Sequence, residues 1–88
     1  MLKITPLSRK GRGQTLKVEG EIREFSVGIV RDACTKHASR SKRLHLDLAN
    51  VLYVDPLGVE LLRDLMREGI KITACSTFVA ELLRLKQT

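Results

Sequence analysis

Four short stretches of this chain alternate apolar and polar residues with a period of two, and that pattern constrains its fold more than any other feature. In "LKIT", Leu2 and Ile4 fall opposite Lys3 and Thr5. In "TLKVE", Leu16 and Val18 fall opposite Thr15, Lys17 and Glu19. In "LHLDLA", Leu44, Leu46 and Leu48 oppose His45, Asp47 and Ala49. In "IKITAC", Ile70, Ile72 and Ala74 oppose Lys71, Thr73 and Cys75. Successive side chains of a strand point to opposite faces. Four such stretches therefore call for a sheet with one buried and one wetted face.

Between them the period changes. From Ile22 onward, Phe25, Ile29, Val30, Ala33, Cys34 and His37 recur at spacings of three and four, an amphipathic helical stripe. Leu57, Leu61, Leu62, Leu65 and Met66 form a second stripe, and Phe78, Val79, Leu82 and Leu83 a third. On the outer side of the second, Glu60–Arg63 and Asp64–Arg67 are opposite charges three apart. Gly69 stands where that helix needs a left-handed residue to stop. Ser76 or Thr77 can cap the start of the third. The order is thus β-β-α-β-α-β-α. "SRKGRGQ", with two glycines and three cations, reads as a hairpin loop between the first two strands. The later strands, joined through helices, should run parallel. Right-handed crossovers with advancing strand order put both crossover helices on one side. The expected class is α/β: a small mixed sheet of four strands with helices largely on one face.

Eighty-eight residues suit a single domain over 1–88. With no tryptophan, one tyrosine and two phenylalanines, its core must be aliphatic. No apolar run approaches the roughly 20 residues needed to span a bilayer. "MLKITPLSRK" lacks the apolar centre of a signal peptide, so a cytoplasmic protein is expected. Cys34 and Cys75 stand far apart, without metal spacing. They read as small buried hydrophobes, and a disulfide is not expected in a reducing compartment. The net charge of +6 is uneven: residues 1–43 carry eleven Lys/Arg against four Asp/Glu, residues 44–88 five against six.

The segment with the most to say about function is "YVDPLGVELL", residues 53–62, where a strand runs out and a helix begins. Asp55 is placed as N-cap, its carboxylate accepting from a free backbone N–H and suiting the positive helix end. Pro56 then occupies the first helical position, where its fixed φ fits and its missing N–H is no loss. Gly58 allows a close approach to the backbone, by a partner or by the strand beneath. The corner is structurally sound and chemically quiet, with no hydroxyl, thiol or imidazole at its tip.

"RLHLDLANVLYVDPLGVELLRDLMREG" resembles the STAS domain of sulfate transporters and anti-sigma factor antagonists. Asp47-Leu48, Val51, Asp55, Gly58, Leu62 and Gly69 match the family pattern. "VEGEIRE" resembles the end of its second strand, and "KITACSTFVAELLRL" its closing strand and helix. The resemblance covers nearly the whole chain and implies a mixed sheet with helices to one side. In the anti-sigma antagonists a serine follows the corner aspartate, and a partner kinase phosphorylates it. Here that position is Pro56, the next, often Ser or Thr, is Leu57, and Arg23 stands where an acidic residue is common.

The resemblance therefore implies a non-enzymatic regulatory protein-interaction module, bacterial and acting in transcription, that is not switched by phosphate at the usual site. Its docking patch is expected at Asp55, Pro56, Leu57, Gly58, Glu60 and Arg63, and its partner to be an anti-sigma factor of the serine-kinase type. An alternative within the family is an accessory subunit bound to the ATPase of a lipid-transport ABC transporter. An alternative from another class is a weak nucleic-acid binder using Arg9, Lys10 and Arg12 with Arg40, Lys42 and Arg43. Against it, no aromatics interleave with these cations for base stacking. His45 and Asp47 share a strand face, but the open side of a small sheet offers no pocket for general-base work. "KGRGQT" lacks phosphate-loop spacing. No enzyme activity, cofactor or metal is expected. Set against the resembled family, the chain ends sooner than many members do, without the final element that often closes the sheet edge, and pairing of that edge with a second copy is an expectation of the resemblance.

Overall fold

The computed structural model describes residues 2–8, 14–37 and 44–84. Strand β1 (Leu2–Ser8) is followed by β2 (Gln14–Ile22), then a single 3₁₀ turn, Glu24–Ser26, and helix α1 (Val27–His37). Then come β3 (Leu44–Val54), α2 (Pro56–Arg67), β4 (Lys71–Cys75) and α3 (Thr77–Leu83). The sheet order is β1-β2-β3-β4. β1 is antiparallel to β2, while β2, β3 and β4 run parallel. Element order, strand directions and fold class are those the alternation implies.

One continuous aliphatic core joins the inner face of the sheet to all three helices. Leu16, Val18 and Ile22 of β2 and Leu44, Leu46, Leu48, Val51 and Val54 of β3 meet Val30 and Cys34 of α1. Leu61, Leu62 and Leu65 of α2 and Val79 and Leu83 of α3 complete it. All three helices therefore lie on one side, and Lys3, Lys17, Asp47 and Lys71 occupy the other.

The clean alternation of β3 stops at Ala49 for a reason visible in its register. Lys17 to Glu19 is matched by Asp47 to Asn50, and Gly20 to Glu21 by Val51 to Tyr53. Each slip places one extra residue on β3, a bulge. The buried positions consequently change from every second residue (44, 46, 48) to every third (51, 54). A similar slip in β4, between Leu46↔Ile72 and Asp47↔Ala74, alters the inward set. It turns Cys75, rather than Ala74, onto the core.

The first helical stripe is also corrected. Ile22 belongs to β2, and the 3₁₀ turn intervenes before α1 begins. Phe25 is left 79% exposed and Ile29 56%, so the inner face of α1 rests chiefly on Val30 and Cys34. Phe78, in the first turn of α3, is 46% exposed.

The caps follow their chemistry. Ser76 caps α3, its Oγ accepting from Val79 N at 3.2 Å. At the end of α2, Gly69 takes φ +100°, Gly69 N donates to Met66 O, and Ile70 N donates to Leu65 O. This is a Schellman motif, and glycine tolerates its left-handed residue at no steric cost. Cys34 and Cys75 are both free thiols. Burial pushes the Cys34 thiol up to about 11 and the Cys75 thiol up as well. No helix among the described residues is long and apolar enough to cross a membrane.

Candidate partner-docking site

The corner at Asp55 is assembled from two chain segments. β2 runs out at Ile22 and β3 at Val54, side by side and parallel. Asp55 N donates to Ile22 O at 3.0 Å, extending the ladder by one rung into the corner. The carboxylate then divides between two elements. Oδ1 accepts from Gly58 N at 2.8 Å, the N-cap bond of α2, and Oδ2 accepts from Glu24 N at 2.6 Å, at the start of the 3₁₀ turn. One side chain thus satisfies orphan N–H groups at two helical starts. Pro56 follows as the first helical residue.

Gly58 is buried, and its role is packing. A Cβ built there would lie 2.7 Å from Val54 Cγ1 and 2.9 Å from the Ile22 carbonyl oxygen. The absent side chain lets α2 seat on the ends of β2 and β3, so Gly58 itself presents no surface. Around it the patch is exposed and partly apolar: Pro56, Leu57 (44%) and Glu60 on α2, Phe25 on the 3₁₀ turn, and Tyr53 at the end of β3. Arg23 reaches over the Tyr53 ring. Its guanidinium sits 4.7 Å from the centroid of the Tyr53 ring, and its Nε donates to Glu21 Oε1 at 2.9 Å. That hydrogen bond and the attending charge hold the Glu21 carboxyl below its usual range and raise the Arg23 pKa. The pair is open to solvent, so it orients more than it stabilises.

Two grooves flank α2. Between α1 and α2 runs a groove of about 300 Å³ lined by Glu24, Val27, Gly28, Arg31, Leu57, Glu60, Leu61 and Asp64. On the outer side of α2 a second groove is lined by Glu60, Arg63, Asp64 and Arg67. Of the two charge pairs expected along α2, Asp64–Arg67 forms at 2.8 Å. Arg63 instead reaches back to Leu82 O at 3.4 Å, toward α3. Arg31 ties α1 to the end of α2 through Glu68 at 2.6 Å, a bond that also raises the Arg31 pKa.

The expected site residues therefore divide. Asp55, Pro56, Leu57 and Glu60 gather around the corner, Gly58 packs beneath it, and Arg63 turns toward α3. Sequence reasoning missed Glu24, Phe25 and Tyr53 as neighbours of the corner. Phe25 fits a helical stripe by spacing, and nothing local separates it from a core residue. The other candidates do not assemble. Asp47 Oδ1 accepts from Ala49 N at 3.0 Å rather than pairing with His45. His45 Nδ1 and its cross-strand neighbour Thr15 Oγ1 have no hydrogen-bond partner among the described residues. His37 shares a hydrogen bond with the Gln14 amide at 2.9 Å. Arg9, Lys10, Arg12, Arg40, Lys42 and Arg43 lie outside the described residues, so the basic clusters of the nucleic-acid reading are not part of this geometry. Among the described residues no three His, Cys, Asp or Glu side chains come together as a metal-binding set.

No protein-family model matches the chain, and no curated protein matches it. Among solved structures it is similar to an antisigma-factor antagonist, a STAS domain, from Rhodobacter sphaeroides. The two are 24% identical, 90% of each chain is covered, and the TM-score is 0.59. The fold is that of a STAS domain: a four-stranded mixed sheet carrying its three helices on one face.

Proposed function

We propose that this chain is a non-enzymatic regulatory module that works by docking on a protein partner through the Asp55 corner. The observation that carries this reading is the corner itself. Both carboxylate oxygens of Asp55 are held by backbone N–H groups, and Pro56 offers no hydroxyl. Beside them Phe25, Leu57 and Tyr53 stand exposed. A rigid, unreactive corner edged with apolar and aromatic side chains is suited to adhesion rather than catalysis. Likeness to the solved antisigma-factor antagonist supports a partner of the anti-sigma type. With proline in place of an acceptor, attachment there is governed by shape and charge and not by phosphate.

Constitutive attachment also suits the second reading, an accessory subunit on a transporter ATPase. Gene neighbours separate the two: a sigma factor and kinase in one case, transporter subunits in the other. The test common to both is Leu57→Asp. Leu57 is exposed, so the substitution is expected to abolish pull-down of the cognate partner while the melting temperature stays within a few degrees. Undiminished pull-down by a folded Leu57→Asp protein would remove the corner from the interface.

A further inference from the structure

The groove between α1 and α2 differs in charge from the rest of the molecule. The chain carries +6, yet three of the groove's lining residues are acidic and one is basic. That one cation, Arg31, is already held by Glu68, and Asp64 is held by Arg67. Glu24 and Glu60 have no ion-pair partner among the described residues. They stand at the mouth of the groove, beside the corner. Its apolar lining is Val27, Leu57 and Leu61. Gly28 leaves it unfilled: a Cβ built there meets nothing within 4 Å, although the residue sits within the first turn of a helix packed beside another. The groove is therefore an apolar slot with two uncompensated carboxylates at its mouth.

From this geometry we infer that the α1–α2 groove seats a basic, apolar-bearing segment of the protein partner, an aliphatic or aromatic side chain entering over Gly28 with flanking Lys or Arg meeting Glu24 and Glu60. Charge complementarity selects this occupant. Nucleic acid and anionic lipid are repelled by the same carboxylates, and an acidic segment would bring like charges together. The inference rests on the docking reading above and narrows it, naming the chemistry of the partner and the slot that reads it. Asp55 links slot and corner, because it holds the backbone of Glu24 on one wall and the start of α2 on the other.

The test is selection of a random twelve-residue peptide display library on the intact chain, with binding of the retained peptides remeasured on three variants. Gly28→Trp fills the slot from a helix surface with room for it. Glu24→Lys with Glu60→Lys reverses its charge, and Leu57→Asp spoils the edge that slot and corner share. Melting curves establish that each variant is folded. Retained peptides are expected to combine Lys or Arg with a large apolar residue. Their affinity is expected to fall at least tenfold on Gly28→Trp and on the charge-reversed variant, and to weaken with added salt. Peptides lost on Leu57→Asp but indifferent to Gly28→Trp would overturn the slot and leave the corner reading standing. Peptides indifferent to all three variants, or no retained peptides, would overturn both. Acidic retained peptides would overturn the charge argument. Self-association of the chain that Gly28→Trp abolishes would overturn a foreign partner in favour of a second copy.

Discussion

Asp55 stands at the crossing of two capping demands, and its substitution series measures them separately. Removing a capping oxygen typically costs about 1 kcal/mol for each cap. Asp55→Ala forfeits both bonds, to Gly58 N and to Glu24 N, and is expected to cost about 2 kcal/mol. In a domain of this size that lowers the melting temperature by roughly 8–16 °C. Asp55→Asn keeps one acceptor oxygen but turns an amide donor toward the other N–H, so it should fall between wild type and alanine. Thermal melts of the two variants check this ordering. Only half of this arrangement is legible in sequence. A cap to the third residue onward is a local rule, and "DPLG" announces it. The bond to Glu24 spans 31 positions and exists only because β2 and β3 end side by side.

At the scale of elements, two helical glycines make a contrast. Gly28 on α1 has open space where a Cβ would go, so Gly28→Ala is expected to stabilise by about 0.5–1 kcal/mol through helix propensity alone. Gly58 on α2 faces Val54 and the Ile22 carbonyl, so Gly58→Ala is expected to destabilise by about 1–3 kcal/mol as α2 is pushed off the sheet. Denaturant midpoints of the two variants should move in opposite directions. The sequence marks Gly58, through its place in the Asp55 corner, as a point of close approach, but it does not say whether a partner or the strand comes near, and it leaves Gly28 unmarked. Elements are legible where burial is one-sided and regular. The strands of this chain announce themselves from 2 to 5, 15 to 19 and 44 to 48. They become obscure where the β3 bulges change the interval of buried residues from two to three. The same limit explains Phe25 and Ile29. A spacing of three and four identifies a helix, but a 3₁₀ turn ahead of it shifts which residues face inward. The slot between α1 and α2 depends on how two elements cross, and no local pattern records that.

At the scale of the whole molecule, the core is aliphatic, and among the described residues it carries one ionisable group well inside it, the Cys34 thiol. Its value is pushed up from the usual 9.0 to about 11 by burial. A raised folded pKa means that the unfolded chain gives up this proton first. The stabilisation it represents is whole below about pH 9, the ordinary thiol value, and is lost as pH climbs toward 11. Melting temperatures of wild type and Cys34→Val between pH 8 and 11 test this. The wild type is expected to lose stability more steeply across that window, and equal slopes would place the thiolate in a wetter setting. At pH 8 the same shift leaves about 100-fold less thiolate than an ordinary cysteine carries, so alkylation of Cys34 should be correspondingly slow in the folded protein.

The carboxylate shared by Glu24 N and Gly58 N also has a mechanical consequence. Two turns that belong to distant parts of the chain are riveted at one point, so neither can swing while the other stays still. Displacing either turn means breaking the hydrogen bond that Asp55 makes to it or carrying the other turn along.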